Sequence, residues 1–274
     1  MQSFIEVGAV FDVATSVVIR SKYWEYAFLQ SSLHDNWAWK YASTLESRIR
    51  YVNVDCIDTF PILDNLPIDI KIRLESIGEA YHEHRRQLML GMQLGLTKTY
   101  NAFHNEECRM NNEKWQTVLN DLDNGKTLQE INIKSYGFNK ESTNLIKHFQ
   151  KGEPTVSLRE AIAGIEKLRS LHVQMDEAVL EAYGWRFDSA QRQDIQLRHD
   201  FYEVDYLPEN DRIRFTIHPD ARKEVLKRLL ELNHKIHEEE VQAGLWDKKK
   251  TSTKKSNIVN EPNAAYGGDL IKQE

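Results

Sequence analysis

Two long stretches with helical periodicity limit the fold of this chain more than any other feature of its sequence. The first runs from about residue 69 to 95, and its inward stripe recurs at three- and four-residue spacing: Ile70, Leu74, Ile77, Tyr81, His84 and Leu88. The second opens on the capping box Ser157–Glu160 and runs to about Tyr183. Its inward stripe is Leu158, Ile162, Ile165, Leu168, Met175 and Val179. Because both stripes must be covered, the sequence predicts a helical module built around this pair.

Shorter patterns indicate further elements in the same module. Gly95 is the expected end of the first long helix, and residues 96–107 follow as a turn or short helix. Two short helices are predicted further on: 112–122 and 139–151. Residues 212–217 alternate in polarity and predict a short strand. A last helix is expected to begin at Pro219, a residue favoured in the first helical turn, with an inward stripe of Val225, Leu229, Leu232 and Ile236.

The N-terminal part has a different pattern. Residues 3–20 are rich in Val, Ile and Phe and predict one or two strands. Residues 22–42 predict one helix, with an inward stripe of Trp24, Phe28, Leu29, Leu33, Trp37 and Tyr41. Residues 47–62 predict a strand that ends at Phe60, because the following Pro61 holds that residue extended and cannot continue a ladder.

The predicted fold class is therefore α+β and mostly helical, with a short strand-containing N-terminal region followed by a helical C-terminal module. The expected boundaries are 1–62 for the first region and 63–246 for the second. Residues 247–274 form a Lys-rich tail with little to bury, and we expect it to be mobile.

Composition excludes several classes of protein. The chain has 274 residues and a net charge of −6, which argues against coating nucleic acid by bulk charge. Its sequence has no run of 18 apolar residues and no pattern of a signal peptide, so we expect neither a membrane span nor export. Cys56 and Cys108 stand in no paired motif, which is typical of reduced thiols in a cytoplasmic protein.

The sequence carries little that indicates catalysis or metal binding. His104 and Cys108 are four residues apart, a spacing that can chelate a metal on a helix, but no further ligands stand nearby; two ordinary polar-segment residues are the better interpretation. Glycine-rich nucleotide loops, a P-loop, a nucleophile elbow and the [D/N/S]-P-P-[Y/F/W] motif are all absent from the sequence. We therefore predict no catalytic, cofactor-binding or metal-binding residues in this chain.

One short segment is typical of nucleic-acid contact. Arg48 and Arg50 are two residues apart, so on a strand they share one face, and Tyr51 follows them directly. Paired guanidinium groups beside an aromatic ring suit phosphate or base-edge contacts. The alternative is a solvated strand edge, which is at least as common.

The order of these pieces resembles a known family. The stretch LQSSLHDNWAWKYASTLESRIRYVNVDCIDTFPI is similar to the end of the target-recognition region in MmeI-like adenine-specific DNA methyltransferases of restriction–modification and phage-defence systems. The matching positions are Leu29, Ser31 (or Ser32), His34, Trp37, Arg48, Arg50, Tyr51 and Phe60-Pro61. Three later stretches resemble the family's helical C-terminal region: 81–107, 168–185 and 228–245.

The resemblance implies a function that this chain performs only in part. In that family the S-adenosylmethionine pocket and the motif that grips the extruded adenine lie upstream of the similar region. The implied function is thus a non-catalytic C-terminal part or split subunit of a site-specific adenine DNA methyltransferase, with Arg48, Arg50 and Tyr51 as DNA-binding residues. Its implied partners are double-stranded DNA and a catalytic half that holds the cofactor. The alternative is a helical protein-interaction module with no role on DNA.

Overall fold

The computed structural model describes residues 21–45, 48–186 and 194–245. The strands predicted over 3–20 and the tail predicted to be mobile over 247–274 lie outside these residues. Within the described part the chain is mostly helical, with two separate antiparallel two-stranded sheets. The predicted fold class, α+β and mostly helical, is confirmed.

The single helix predicted over 22–42 is two helices, α1 (Tyr23–Gln30) and α2 (Ser32–Tyr41). Ser31 separates them in an extended conformation, with φ −68° and ψ 156°. Its hydroxyl donates to Phe28 O at 2.7 Å and accepts from the backbone N–H of His34. This serine ends one helix and caps the next, so the continuous apolar stripe does not produce a continuous helix.

A small hairpin follows α2. Strand β1 (Ser43–Leu45) pairs antiparallel with β2 (Arg48–Arg50), with Ser43 opposite Arg50 and Leu45 opposite Arg48. The strand predicted to continue to Phe60 is wrong beyond Arg50, because Val54–Asp58 forms a short π-helical turn. Two consecutive residues of that turn, Cys56 and Ile57, are buried, whereas a strand with one solvent-exposed face would bury only one of them.

Six further α-helices, a second hairpin and three short 3-10 helices, Leu128–Glu130, Ile133–Tyr136 and Glu209–Asp211, complete the described part. Their bounds are α3 (Ile68–Met92), α4 (Leu96–Phe103), α5 (Glu113–Asp123), α6 (Lys140–Gln150), α7 (Leu158–Ala182), β3 (Asp200–Glu203), β4 (Ile213–Thr216) and α8 (Pro219–Gln242). The short helices predicted over 112–122 and 139–151, the strand within 212–217 and the helix start at Pro219 are all confirmed. Strand β4 pairs with β3, with Phe215 opposite Phe201.

The centre of the fold is α3 packed against α7 and α1. The predicted stripe of α7 is buried along its whole length, and Leu74, Tyr81 and Leu88 of α3 are buried against it. The helices lie very close together where glycine faces a neighbour. A Cβ on Gly78 of α3 would stand 2.3 Å from the backbone oxygen of Tyr23 in α1, so only glycine fits there.

The end of α3 differs from its prediction. The helix ends at Gln93, which adopts the left-handed conformation with φ 51°, and Gly95 instead precedes α4 as its N-cap. The turn at Gln93 lets the N–H of Leu94 bond to Met89 O at 3.1 Å, and the Gln93 side chain donates to Leu90 O at 2.7 Å. These bonds satisfy helix-end carbonyls and compensate for a side chain at a position that favours glycine.

The chain separates into two units, residues 1–236 and residues 237–274. The first holds α1 to α7, both hairpins and most of α8. Of the second, the structure describes only 237–245, where α8 ends in a turn closed by Leu245 N–H on Glu240 O at 3.0 Å. Among the described helices, none combines the length and apolar character needed to cross a bilayer.

Candidate nucleic-acid interface

The two arginines singled out in the sequence lie on the hairpin after α2. Both belong to β2, where alternate residues share a face of the ribbon and stand about 7 Å apart along the strand. Arg50 is exposed to solvent. The two positions are therefore alternate residues of one strand, as the sequence predicted, and two cations at this spacing suit an anionic backbone.

Tyr51, the third predicted residue, lies at the base of the hairpin. It is half-buried, and its hydroxyl is 3.1 Å from Nε2 of His34 in α2. The two rings meet edge to face, with centroids 5.9 Å apart. Tyr51 therefore contacts the helical scaffold through both its ring and its hydroxyl.

His34 contacts both Tyr51 at the base of the hairpin and the π-helical turn that follows. Its side chain is buried, and Nε2 is 3.2 Å from the carbonyl oxygen of Cys56 in the π-helical turn. Because that carbonyl can only accept, the bond requires the proton on Nε2, and the Tyr51 oxygen then accepts from the same N–H. Burial lowers the pKa of His34 to about 4, against the partial opposition of the Cys56 bond, so the ring is neutral at pH 7.

A second contact from α2 fixes the chain after the hairpin. Trp37 donates its indole N–H to Thr59 Oγ1 at 3.1 Å, and that hydroxyl donates to Asp55 O at 2.6 Å. Phe60, the predicted corner residue, packs its ring against His34 with centroids 4.8 Å apart. Helix α2 thus holds the segment from Tyr51 to Phe60 by polar and aromatic contacts.

A buried polar cluster lies behind α2 and was not predicted from the sequence. Asp176 of α7 accepts the backbone N–H of Ser32 at 2.8 Å and bonds to His199 Nε2 at 2.7 Å. Nε2 of His172, one turn before Asp176, is 2.9 Å from the Ser32 hydroxyl. The signal in the sequence was a histidine and an aspartate four residues apart on the inward side of a predicted helix.

These residue types resemble a hydrolytic triad, but their geometry does not. In a triad the histidine uses one ring nitrogen for the serine and the other for the carboxylate. Here Nε2 of His172 faces both Ser32 and Asp176, at 2.9 and 3.5 Å, while its Nδ1 is buried without a hydrogen-bond partner. The Ser32 side chain is itself buried. The cluster joins α2 and α7 to residue 199 and does not present a nucleophile.

The protonation of Asp176 and His172 depends on their burial and on the groups around them. Burial alone would raise the pKa of Asp176, but the nearby His172 and the hydrogen bonds from His199 and Ser32 outweigh it, so the net pKa is lowered. Burial lowers the pKa of His172, and the Asp176 carboxylate offsets only part of this effect. A buried carboxylate that accepts several hydrogen bonds is a strong tether between the segments it joins.

The structure gives His104 and Cys108 separate surroundings. Nδ1 of His104 accepts the backbone N–H of Phe215 at 3.2 Å. Cys108 is buried, and burial raises the pKa of its thiol to about 11. Within residues 21–45, 48–186 and 194–245, no group of three or more His, Cys, Asp or Glu side chains has a geometry that holds a metal ion.

Comparisons of this chain with protein-family models, with curated proteins and with solved structures find no match.

Proposed function

We propose that this chain is a non-catalytic, DNA-contacting part of a site-specific adenine DNA methyltransferase of a restriction–modification or phage-defence system. The observation that supports this function best is the hairpin β1–β2, which places Arg48 and Arg50 two residues apart on a strand whose base is fixed to α2. The order of the surrounding sequence pieces, which resembles the methyltransferase family, supplies the class of enzyme.

In this proposal the chain positions the complex on the DNA duplex and takes no part in methyl transfer. The catalytic half supplies S-adenosylmethionine and the pocket for an adenine turned out of the duplex. The hairpin arginines bind phosphate oxygens, or one of them binds a guanine edge, and so fix the complex on the duplex. The net charge of −6 makes local contacts essential, because the remainder of the chain repels the DNA backbone.

The test is a salt titration of duplex binding by the full chain, alone and together with a methyltransferase catalytic half. We expect the double variant R48A/R50A to weaken binding and to reduce the slope of log affinity against log salt by about one for each phosphate that the variant no longer binds. If one arginine binds guanine, its removal instead relaxes the preference at one base position by about 1–3 kcal/mol.

The matched control is K98A/K167A, which removes two positive charges from exposed positions on α4 and α7. An equal decrease in affinity in both double variants would show an effect of net charge alone and would remove the hairpin from the interface. Unchanged affinity and site preference in R48A/R50A, measured with the catalytic half present, would contradict the proposal.

The second candidate function is a helical interaction module without a role on DNA. The observation that favours it is a pair of exposed isoleucines one turn apart at the start of α3, Ile68 at 73% and Ile72 at 62% exposure. The same titration separates the two functions, because a protein-interaction module shows no salt-dependent affinity for a duplex.

A further inference from the structure

We infer that His34 and Tyr51 form a clamp that fixes the β1–β2 hairpin on α2, which makes both of them positioning residues rather than DNA contacts. The consequence for DNA binding rests on the proposed function, whereas the clamp itself is a property of the free chain. The inference changes the role of Tyr51 that the sequence suggested.

Both ends of the hairpin are attached to the same helix. The first strand begins one residue after the C-cap of α2, where the Ala42 N–H bonds to Ala38 O at 2.8 Å. The second strand ends at Arg50, and the next residue, Tyr51, bonds back to His34 in the first turn of α2. Each strand has only three residues, so a ribbon of this size depends on such anchors for its order.

In the part of the hairpin that the structure describes, the contacts of His34 are with Tyr51 and, beyond it, with the π-helical turn and Phe60. His34 is only 3% exposed to solvent, so its imidazole does not reach a ligand outside the protein. Its ring is edge-on to Phe60 and Tyr51 and donates to Cys56 O. Any effect of a His34 variant on DNA affinity must therefore come from the position or the mobility of the hairpin.

The clamp rests on a rigid support. Helix α2 begins at Ser32, whose N–H and hydroxyl are both held by side chains of α7. A hairpin fixed in this way loses less conformational entropy when it binds, which is the physical benefit of preorganisation. The structure thus connects the buried cluster on α7 to the arginines through one helix and one hydrogen-bonded pair.

A double-mutant cycle with Tyr51→Phe and His34→Leu tests the clamp. Y51F removes one hydroxyl and keeps the ring, and H34L removes the donor. We expect each change to increase hydrogen–deuterium exchange of peptides covering residues 43–53 in the free chain and to weaken duplex binding by about threefold to tenfold. The double variant should be no weaker than H34L alone, because both changes break the same hydrogen bond.

The variant His34→Gln is the conservative control. The glutamine amide can place an N–H donor near the position of Nε2, so H34Q should restore slow exchange and tight binding. Additive decreases in affinity, or weaker binding in Y51F without faster exchange, would overturn the clamp and assign the hydroxyl of Tyr51 to the DNA. Unchanged exchange in both Y51F and H34L would also overturn it.

The two proposals fail in different ways. If the wild-type chain with its catalytic half shows no salt-dependent duplex binding, the proposed function fails, while the exchange measurement on the free chain still decides whether the clamp exists. If duplex binding depends on Arg48 and Arg50 but exchange does not respond to Y51F, the clamp fails and the function stands.

Discussion

Asp176 and Ser32 are bonded at the junction between α1 and α2, with the carboxylate of one accepting the backbone N–H of the other at 2.8 Å. The two residues lie 144 positions apart in the chain. The same carboxylate binds His199, so one buried side chain of α7 fixes the start of α2 and residue 199 together.

Replacing Asp176 with Ala should lower the free energy of unfolding by about 3–5 kcal/mol, because it leaves the buried N–H of Ser32 and the imidazole of His199 without their acceptor. Asp176→Asn keeps an acceptor for Ser32 but removes the charge, so its cost should be smaller. Urea denaturation at pH 7 measures both. The control is Glu106→Ala, an exposed carboxylate whose removal should change stability by less than about 0.5 kcal/mol. Equal effects at the two sites would show that the buried tether is not important for stability.

Acid should weaken the fold through His34. Its pKa is 6.5 in the unfolded chain and about 4 in the folded one, so between these values the unfolded state alone takes up the proton. The stabilisation is complete above pH 6.5 and falls by about 1.4 kcal/mol per unit below it, to a loss of about 3 kcal/mol near pH 4. H34Q has no group that titrates there. The stability advantage of the wild type over H34Q should therefore shrink as pH falls from 7 to 4, and parallel pH curves would contradict the prediction.

Gly78→Ala should destabilise the contact between α1 and α3. The added Cβ would lie 2.3 Å from a backbone oxygen of Tyr23, and a backbone atom cannot move aside as a side chain can. We expect a loss of about 1–3 kcal/mol by thermal or urea denaturation. Gly95→Ala is the matched control, because that Cβ meets nothing within 4 Å and φ at this position is negative. Alanine is a poorer N-cap of α4 than glycine but lowers the entropy of the unfolded chain, so the two effects should nearly cancel and the change should stay within about 0.5 kcal/mol.

Arg169→Met should loosen the turn after α4. The buried guanidinium of Arg169 donates to four backbone carbonyls, at Ala102, Phe103, Asn105 and Cys108, over distances of 2.5 to 3.0 Å. Methionine fills similar space but has no donor, so we expect a loss of about 2–4 kcal/mol and faster amide exchange over residues 102–110. Lys167→Met, an exposed change on the same helix, should leave both measurements unchanged.

The sequence predicts most of the helices because a long apolar stripe is a local pattern. The stripe of α7 and its capping box at Ser157 are confirmed in full, and the start of α8 follows from the known preference of proline. The prediction failed where a distant group decides local structure. Ser31 ends α1 and caps α2 with its own hydroxyl while Asp176 holds the N–H of Ser32, and the π-helical turn places Cys56 and Ile57 side by side in the core. The periodicity of apolar residues shows neither feature.

In the candidate site, too, the sequence predicts the local features and misses the contacts between distant residues. The shared strand of Arg48 and Arg50 follows from their spacing, and the structure agrees. The hydrogen bond between Tyr51 and His34 joins residues that are 17 positions apart in the chain. The one between Ser32 and His172 joins residues that are 140 positions apart. Such pairs come together only through tertiary packing, which spacing along the chain does not encode.

The long reach of the Asp176–Ser32 bond has a consequence for biosynthesis. A ribosome adds about 5–20 residues per second, so about 7–30 s pass between the synthesis of Ser32 and that of its acceptor. The hydrogen bonds from α7 to the junction of α1 and α2 stay unmade during that interval, although α3 and the π-helical turn, against which the two helices also pack, are synthesised earlier. A nascent chain of this protein therefore cannot fix the start of α2 until α7 has emerged, and the final position of that helix is set late in synthesis.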